Sequence, residues 1–346
     1  MTTLPRTRCD RAPGIPRLPR LGFLGIGWIG RNRMEALARA GVAEVAAVAD
    51  PDVELRTAAL AGGAAGAVEG EGLARLLELD LDAIVIATPS ALHAEQAVEA
   101  LGHGLAVFCQ KPLGRDAAEA RAVVQAARRA DRLLGADLSY RHARAALALK
   151  RVVDSGALGR VYAVDLAFHN AYGPDKPWFR RRDLSGGGCL IDLGTHLIDL
   201  AIWLLGSDRA RVLSSHVLRE GRPLPPDSLE VEDHVLAELE LGDGAIARLA
   251  CSWWLPAGRD CVLEVVLHGT EAGAALSNVG GSFYDLTTEI RRGTATEVVA
   301  TPPDDWGGRA AIAWATRLAR DPSFDSSAGE LVRLAELVDG VYETGR

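Results

Sequence analysis

Three groups of residues in this sequence have the types and spacing that chemistry needs. The first is the run Gly25-Ile26-Gly27-Trp28-Ile29-Gly30. Between a strand and a helix, such a Gly-x-Gly-x-x-Gly turn lets the backbone approach a pyrophosphate at its first two glycines. The third glycine lets helix and strand pack, and the helix N-terminus faces the anion. Asp50 closes the next apolar run, where a carboxylate accepts hydrogen bonds from the adenosine ribose hydroxyls. A carboxylate there repels a 2′-phosphate, so NAD is favoured over NADP, while Arg31 and Arg56 keep NADP open. The bland alternative is a tight strand–helix turn with no ligand.

The second group closes two further apolar runs. Ala87-Thr88-Pro89-Ser90, with His93 following, and Cys109-Gln110-Lys111-Pro112-Leu113 both fall where buried parallel strands end. Ligands of such sheets bind there. Only three lysines occur in the chain, Lys111, Lys150 and Lys176, so a lysine abutting an apolar strand stands out from a plain solvated charge. The third group runs from Ser185 through Gly186-Gly187-Gly188 to Asp192, His196 and Asp199. On one helix the last three lie at i, i+4 and i+7 and share a face. Polar groups in so apolar a helix must be paired, hydrated or used. Asp192 beside His196 is expected to raise the histidine pKa and orient the ring. A buried structural pair is the alternative; a metal site lacks a matching cysteine or carboxylate cluster, so no metal is assigned.

Elements that would hold these groups can be read in order. Leu21–Ile26, Val42–Ala49, Ala83–Ala87, Ala106–Cys109 and Leu133–Ala136 read as short buried strands. Helical stretches separate them at 29–40, 52–60, 73–78, 91–101 and 116–130, which describes right-handed βαβ units on a parallel sheet. From about Tyr140 the grammar changes. A helix at 146–154, a half-buried strand at 161–169 and one long apolar helix at 190–205 precede period-two segments at 210–218, 234–241, 245–253, 260–267 and 286–290. Helices near 306–320 and 328–342 close the chain. The fold class is α/β, with an N-terminal Rossmann dinucleotide-binding domain (21–139). A C-terminal α+β domain (140–346) follows, built on a large, mainly antiparallel sheet for substrate binding and oligomerisation. Residues 1–20 read as a disordered tail.

Composition excludes other classes. At 346 residues two domains are expected, and 48% hydrophobic with 24% charged residues is ordinary for a globular chain. A net charge of -8 offers no basic footprint for nucleic acid or an anionic membrane. No apolar run is read as long enough to cross a bilayer. Five cysteines without Cys-x-x-Cys spacing point to a reducing, cytoplasmic setting.

Taken together, the Gly25–Gly30 loop, Ala87-Thr88-Pro89 with His93, Lys111-Pro112, and Gly186–Gly188 through Asp192, His196 and Asp199 occur in a recognisable order. The chain resembles the glucose–fructose oxidoreductase/inositol dehydrogenase/MocA (Gfo/Idh/MocA) family from about Leu21 to its end. The resemblance implies an NAD(P)-dependent dehydrogenase or reductase acting on a sugar, a polyol such as inositol, or a sugar acid. Lys111, Asp192 and His196 fall on the family's catalytic positions. His196 would take the hydroxyl proton, Lys111 would stabilise charge on the reacting oxygen, and Asp192 would hold His196; in some relatives the lysine transfers the proton. Gly25, Gly27, Trp28, Ile29, Gly30, Asp50, Thr88, Pro89, His93, Gln110 and Lys111 would contact the cofactor. His169, Tyr172 and Trp178 fall where the substrate wall should be. Homodimers or homotetramers would form through the C-terminal sheet.

One departure is Gln110, where the family usually has glutamate; without that carboxylate the Lys111 pKa is expected to be lower. Arg180-Arg181-Arg182 reads either as a site for an anionic substrate or as a solvated loop or subunit contact. Two rival functions remain open: redox-neutral glycoside cleavage using NAD in a closed cycle, and a non-catalytic nucleotide sensor on the same fold.

Overall fold

The structure, a computed structural model, describes residues 17–68, 72–225 and 228–345. The expected tail lies outside the described residues as far as position 16. Arg17 and Arg20 are already tied down, Arg17 to Asp80 and Asp82 and the Arg20 amide to Asp82 Oδ2 at 2.9 Å.

The first sheet contains β1 (Arg20–Leu24), β2 (Glu44–Ala49), β3 (Ala67–Val68), β4 (Ala83–Ile86), β5 (Ala106–Cys109) and β6 (Leu134–Ala136). They pair in parallel in the order β3-β2-β1-β4-β5-β6, so the direction of strand addition reverses between β1 and β4. Both faces are covered by helices, which is why the strands read as unbroken apolar runs rather than alternating ones. Gly41 stops the first helix, Trp28–Ala40, by adopting φ +64°, and the Asp116 side chain caps the helix Ala117–Ala130 through the Glu119 amide. The short β3, inside the Gly/Ala-rich stretch 61–70, was not expected.

The second sheet has nine strands: β7 (Val161–Asn170), β8 (Ala210–Arg219), β9 (Arg222–Pro223), β10 (His234–Leu241), β11 (Ala245–Ser252), β12 (Cys261–Gly269), β13 (Gly273–Asn278), β14 (Leu286–Arg292) and β15 (Ala295–Ala300). Their order is β15-β14-β13-β12-β7-β11-β10-β8-β9, and β7 with β11 is the one parallel pairing recorded in it. Strict alternation orients the strands: Val235, Ala237, Leu239 and Leu241 of β10 are buried, while Leu236 is exposed on the outer face. Strand β13 escaped sequence reading because its residues, Gly273-Ala274-Ala275-Leu276-Ser277-Asn278, lack the β-branched and aromatic types that mark strands.

Two features differ from expectation. The apolar helix read as 190–205 is a π-turn over Leu190–Gly194 followed by an α-helix over Thr195–Leu205. Together with the preceding turn, the stretch 182–205 is, unlike the sequence expectation, apolar and long enough to cross a membrane, but most of it is buried inside the fold. The chain also returns to its first half: the helix Arg309–Arg320 packs Ala311, Trp314 and Ala315 on the first sheet, with the Trp314 ring 5.4 Å from that of Phe108. Such a return clamps the two domains and fixes the cleft between them.

Candidate active site

A cleft of about 510 Å³ opens between the two sheets, lined by residues from both halves of the chain. At one end lies the Gly25–Gly30 loop. Gly25 has φ +84°, and a Cβ there would come within 2.6 Å of the Ala87 carbonyl oxygen. A Cβ on Gly30 would collide with the Gly25 carbonyl. Only glycine permits this turn, and it leaves the N-terminus of Trp28–Ala40 with no capping side chain and no acidic residue in its first turn. Asp50 is positioned by two amides, Ile26 N–H to Oδ2 and Asp52 N–H to Oδ1, both at 2.9 Å. Each oxygen retains a lone pair for a ribose hydroxyl. These residues fit a dinucleotide. Nearby, Arg31 is engaged by Glu35, and Arg56 donates to the Asp50 carbonyl oxygen at 2.7 Å.

At the other end Lys111, just beyond β5, crosses to the second domain. Its Nζ donates to the Asp192 backbone carbonyl at 2.6 Å and to Asp192 Oδ1 at 2.9 Å. Asp192 Oδ2 accepts from Trp253 Nε1 at 3.1 Å. The carboxylate therefore holds the lysine and not His196, and the expectation that Asp192 orients the histidine and raises its pKa is corrected. The π-turn separates them from the regular i, i+4 spacing. His196 packs its ring against Tyr140 with centroids 4.8 Å apart, and its Nδ1 is buried without a hydrogen-bond partner. Burial, then the Lys111 and Arg33 charges, hold its pKa well below the ordinary value, so the ring is neutral. Asp199, the third residue of the expected face, is buried and satisfied by Arg141 at 2.6 Å.

The start of this helix is fixed by a buried carboxylate that sequence reading missed. Glu232 Oε1 accepts from the Gly188 amide at 2.9 Å, the Leu190 amide at 3.0 Å and the Tyr342 hydroxyl at 2.9 Å. Beside Lys111, Gln110 is also engaged: its Nε2 donates to Asp137 Oδ2. Asp137 is fully buried and accepts from Arg33 Nε at 2.6 Å and from the Ser139 hydroxyl. The charge absent at position 110 is thus present at position 137, bonded to Gln110 itself.

Of the sequence-derived residues, Gly27, Trp28, Ile29, Gly30, Thr88, His93, Gln110, Lys111, Asp192, His196 and Trp178 line the cleft. Gly25 and Asp50 support the loop beneath, and Pro89 precedes the helix Ser90–Gly102. His93 is buried with Nδ1 2.7 Å from the Pro112 carbonyl and Nε2 2.7 Å from the Thr88 carbonyl. It ties the two strand-end loops together, leaving neither ring nitrogen for a cofactor. His169 is not on the cleft wall. On β7, Phe168 and Asn170 face the cleft, so His169 between them points to the outer face, where it meets Ser252 Oγ at 2.8 Å and stacks on His234. Tyr172 is exposed and packs on Phe283 at the rim.

Arg180 lies over the Trp254 ring, Arg181 pairs with Asp183 and Arg182 lies over the Tyr342 ring; none of the three lines the cleft. Eight aromatic side chains do, from a chain holding 7 Trp, 5 Tyr and 6 Phe. Rings from His196 through Tyr140, Trp306 and Tyr284 to Trp28 form a continuous wall, with neighbouring centroids 4.8 to 6.5 Å apart. Tyr140, Trp306 and Tyr284 come from distant parts of the chain, and local patterns gave no signal for these three. Among the described residues, no group of three or more His, Cys, Asp or Glu could hold a metal ion.

Residues 20–138 match an oxidoreductase family with an NAD-binding Rossmann fold, and residues 146–275 match the Gfo/Idh/MocA C-terminal domain. The chain belongs to the Gfo/Idh/MocA family. A D-glucoside 3-dehydrogenase of Escherichia coli (strain K12) is 29% identical over 213 residues, which are 59% of this chain and 61% of that protein, less than two thirds of its length. A 1,5-anhydro-D-fructose reductase from Ensifer adhaerens is 31% identical over 268 residues, 75% of each chain. Levoglucosan dehydrogenase in complex with NADH and levoglucosan shares the fold with a TM-score of 0.80, covering 95% of this chain and 97% of that one at 22% identity.

Proposed function

We propose that this Gfo/Idh/MocA protein is an NAD-dependent dehydrogenase or reductase acting on a hydroxyl or carbonyl of a neutral sugar, polyol or glycoside. The observation that carries this reading is convergence: Lys111 from the first sheet meets Asp192 and His196 from the second domain inside the cleft that begins at the Gly25–Gly30 loop. Relatives named for D-glucosides and 1,5-anhydro-D-fructose support the substrate class. So does the aromatic wall, since rings stack on the apolar faces of sugars. The arginine run is engaged outside the cleft and so does not select a sugar acid.

Gly25–Gly30 and Asp50 would hold NAD, whose nicotinamide accepts a hydride from the carbinol carbon. The residues of this chain handle the oxygen and its proton. His196, kept neutral by burial, takes the hydroxyl proton. The Lys111 ammonium donates a hydrogen bond to the same oxygen and stabilises the charge that develops on it. Asp192, bonded to both Lys111 and Trp253, keeps the ammonium aimed. Preference for NAD over NADP rests on the Asp50 carboxylate. Self-association through the outer face of the second sheet fits the exposed Leu236 and Ile246 there, and the buried, unpaired cysteines 109, 189, 251 and 261 support a cytoplasmic setting. The test is nicotinamide absorbance with NAD and NADP against a panel of hexoses, inositols and methyl glycosides. Turnover of a neutral panel member, with NAD preferred, supports the reading. Turnover with NADP alone would overturn the Asp50 argument, and cofactor binding without turnover of any member would overturn the enzymatic one.

A further inference from the structure

The chain contains three lysines, and two have partners: Lys111 is bonded to Asp192, and Lys150 pairs with Asp154. Lys176 has no ion-pair partner among the described residues. It belongs to the second domain, on the loop between β7 and the turn Pro177–Arg180, and it lines the cleft. Its ammonium reaches across to the first domain, where a Cβ built on Gly27 would lie 3.4 Å from Lys176 Nζ. Gly27 is the middle glycine of the cofactor loop, the point at which the backbone approaches the pyrophosphate.

This placement is electrostatically unfavourable for the protein alone. A cation stands against the positive end of the helix Trp28–Ala40, whose first turn contains no acidic residue. Arg33, also on the cleft wall, is held by Asp137, Asn32 and Ser139. An anion between Lys176 and the Gly27 amide would turn repulsion into attraction on both sides.

We propose that Lys176 is a cofactor-binding residue supplied by the substrate domain: its ammonium pairs with the dinucleotide pyrophosphate from the side opposite the glycine loop. This inference rests on the reading that the Gly25–Gly30 loop holds a dinucleotide. Two residues further along, Trp178 lines the same cleft and serves as a fluorescent probe of binding there.

The experiment is a titration of tryptophan fluorescence with NADH, ADP-ribose and adenosine, at low and high salt, for the wild type, Lys176→Met and Lys176→Arg. Lys176→Met should weaken NADH and ADP-ribose alike by about tenfold, leave adenosine unchanged and flatten the salt dependence. Lys176→Arg should regain most of the affinity. If the wild type binds NADH and Lys176→Met binds it equally well, this inference fails alone. Equal weakening of adenosine would also overturn it, since the loss would then not pass through phosphate. A wild type that does not bind NADH would overturn the underlying reading as well.

Discussion

Two acid–base clusters stand side by side at the end of β5, and they differ in what is left over. Asp137 is closed: Arg33, Gln110 and Ser139 donate to it, and its side chain and that of Arg33 are 0% and 8% exposed. The Lys111–Asp192 cluster is open, with side chains 17% and 22% exposed, facing a cleft that also holds a neutral histidine with an unpartnered nitrogen. A buried pair whose carboxylate already accepts three donors holds structure rather than chemistry. An open pair retains hydrogen-bonding capacity for a reacting oxygen. The comparison teaches that adjacent charges in one site separate into scaffold and chemistry by saturation rather than by charge type.

Removing members of the open cluster should cost activity and little stability. Lys111→Ala and His196→Ala are each expected to lower kcat/KM by about a hundredfold or more while the thermal midpoint stays near that of the wild type. Near-normal turnover in both would dissolve the distinction. The closed cluster should behave the other way. Asp137→Ala leaves Arg33 buried and unpaired, so urea unfolding should show a loss of about 3 kcal/mol. A variant that remained fully stable but inactive would move Asp137 into the chemistry.

A finer test exchanges charge between the two. Gln110→Glu replaces a donor by a second carboxylate against Asp137, and destabilisation of about 1–2 kcal/mol at neutral pH is expected from the lost bond and the repulsion. The double variant Gln110→Glu/Asp137→Asn restores one charge and one donor, and should recover most of that loss. If it is no more stable than the single variant, the two positions are not coupled.

The smallest effect is a linkage. Burial holds His196 neutral in the folded protein, whereas an unfolded histidine takes a proton near pH 6.5. Below that pH the unfolded state binds the extra proton, so this contribution to stability is present above 6.5 and is lost as pH falls. Between about pH 7.5 and 5.5 the wild type should lose about 1 kcal/mol relative to His196→Asn. Identical pH dependence in the two proteins would mean that folding leaves the His196 pKa unshifted.

Much of the open cluster was legible in the sequence, because each member sits on a local pattern: a lysine after an apolar strand, a glycine turn before an apolar helix. What was hidden depends on distant contacts. Arg33 and Asp137 are 104 residues apart, and Trp253 meets Asp192 across 61. The pairing of Asp192 with His196 was misjudged because regular helical spacing was assumed where Leu190–Gly194 forms a π-turn. His169 was misplaced by one residue on β7, and in a strand a shift of one moves a side chain to the opposite face.

The central claim is net hydride transfer from a sugar carbinol, and isotopic transfer tests it most directly. With the best panel substrate deuterated at the oxidised carbon, deuterium should appear in the reduced nicotinamide, and its appearance should be lost in His196→Ala. Release of a cleaved glycoside with no deuterium accumulating in the nicotinamide would contradict it.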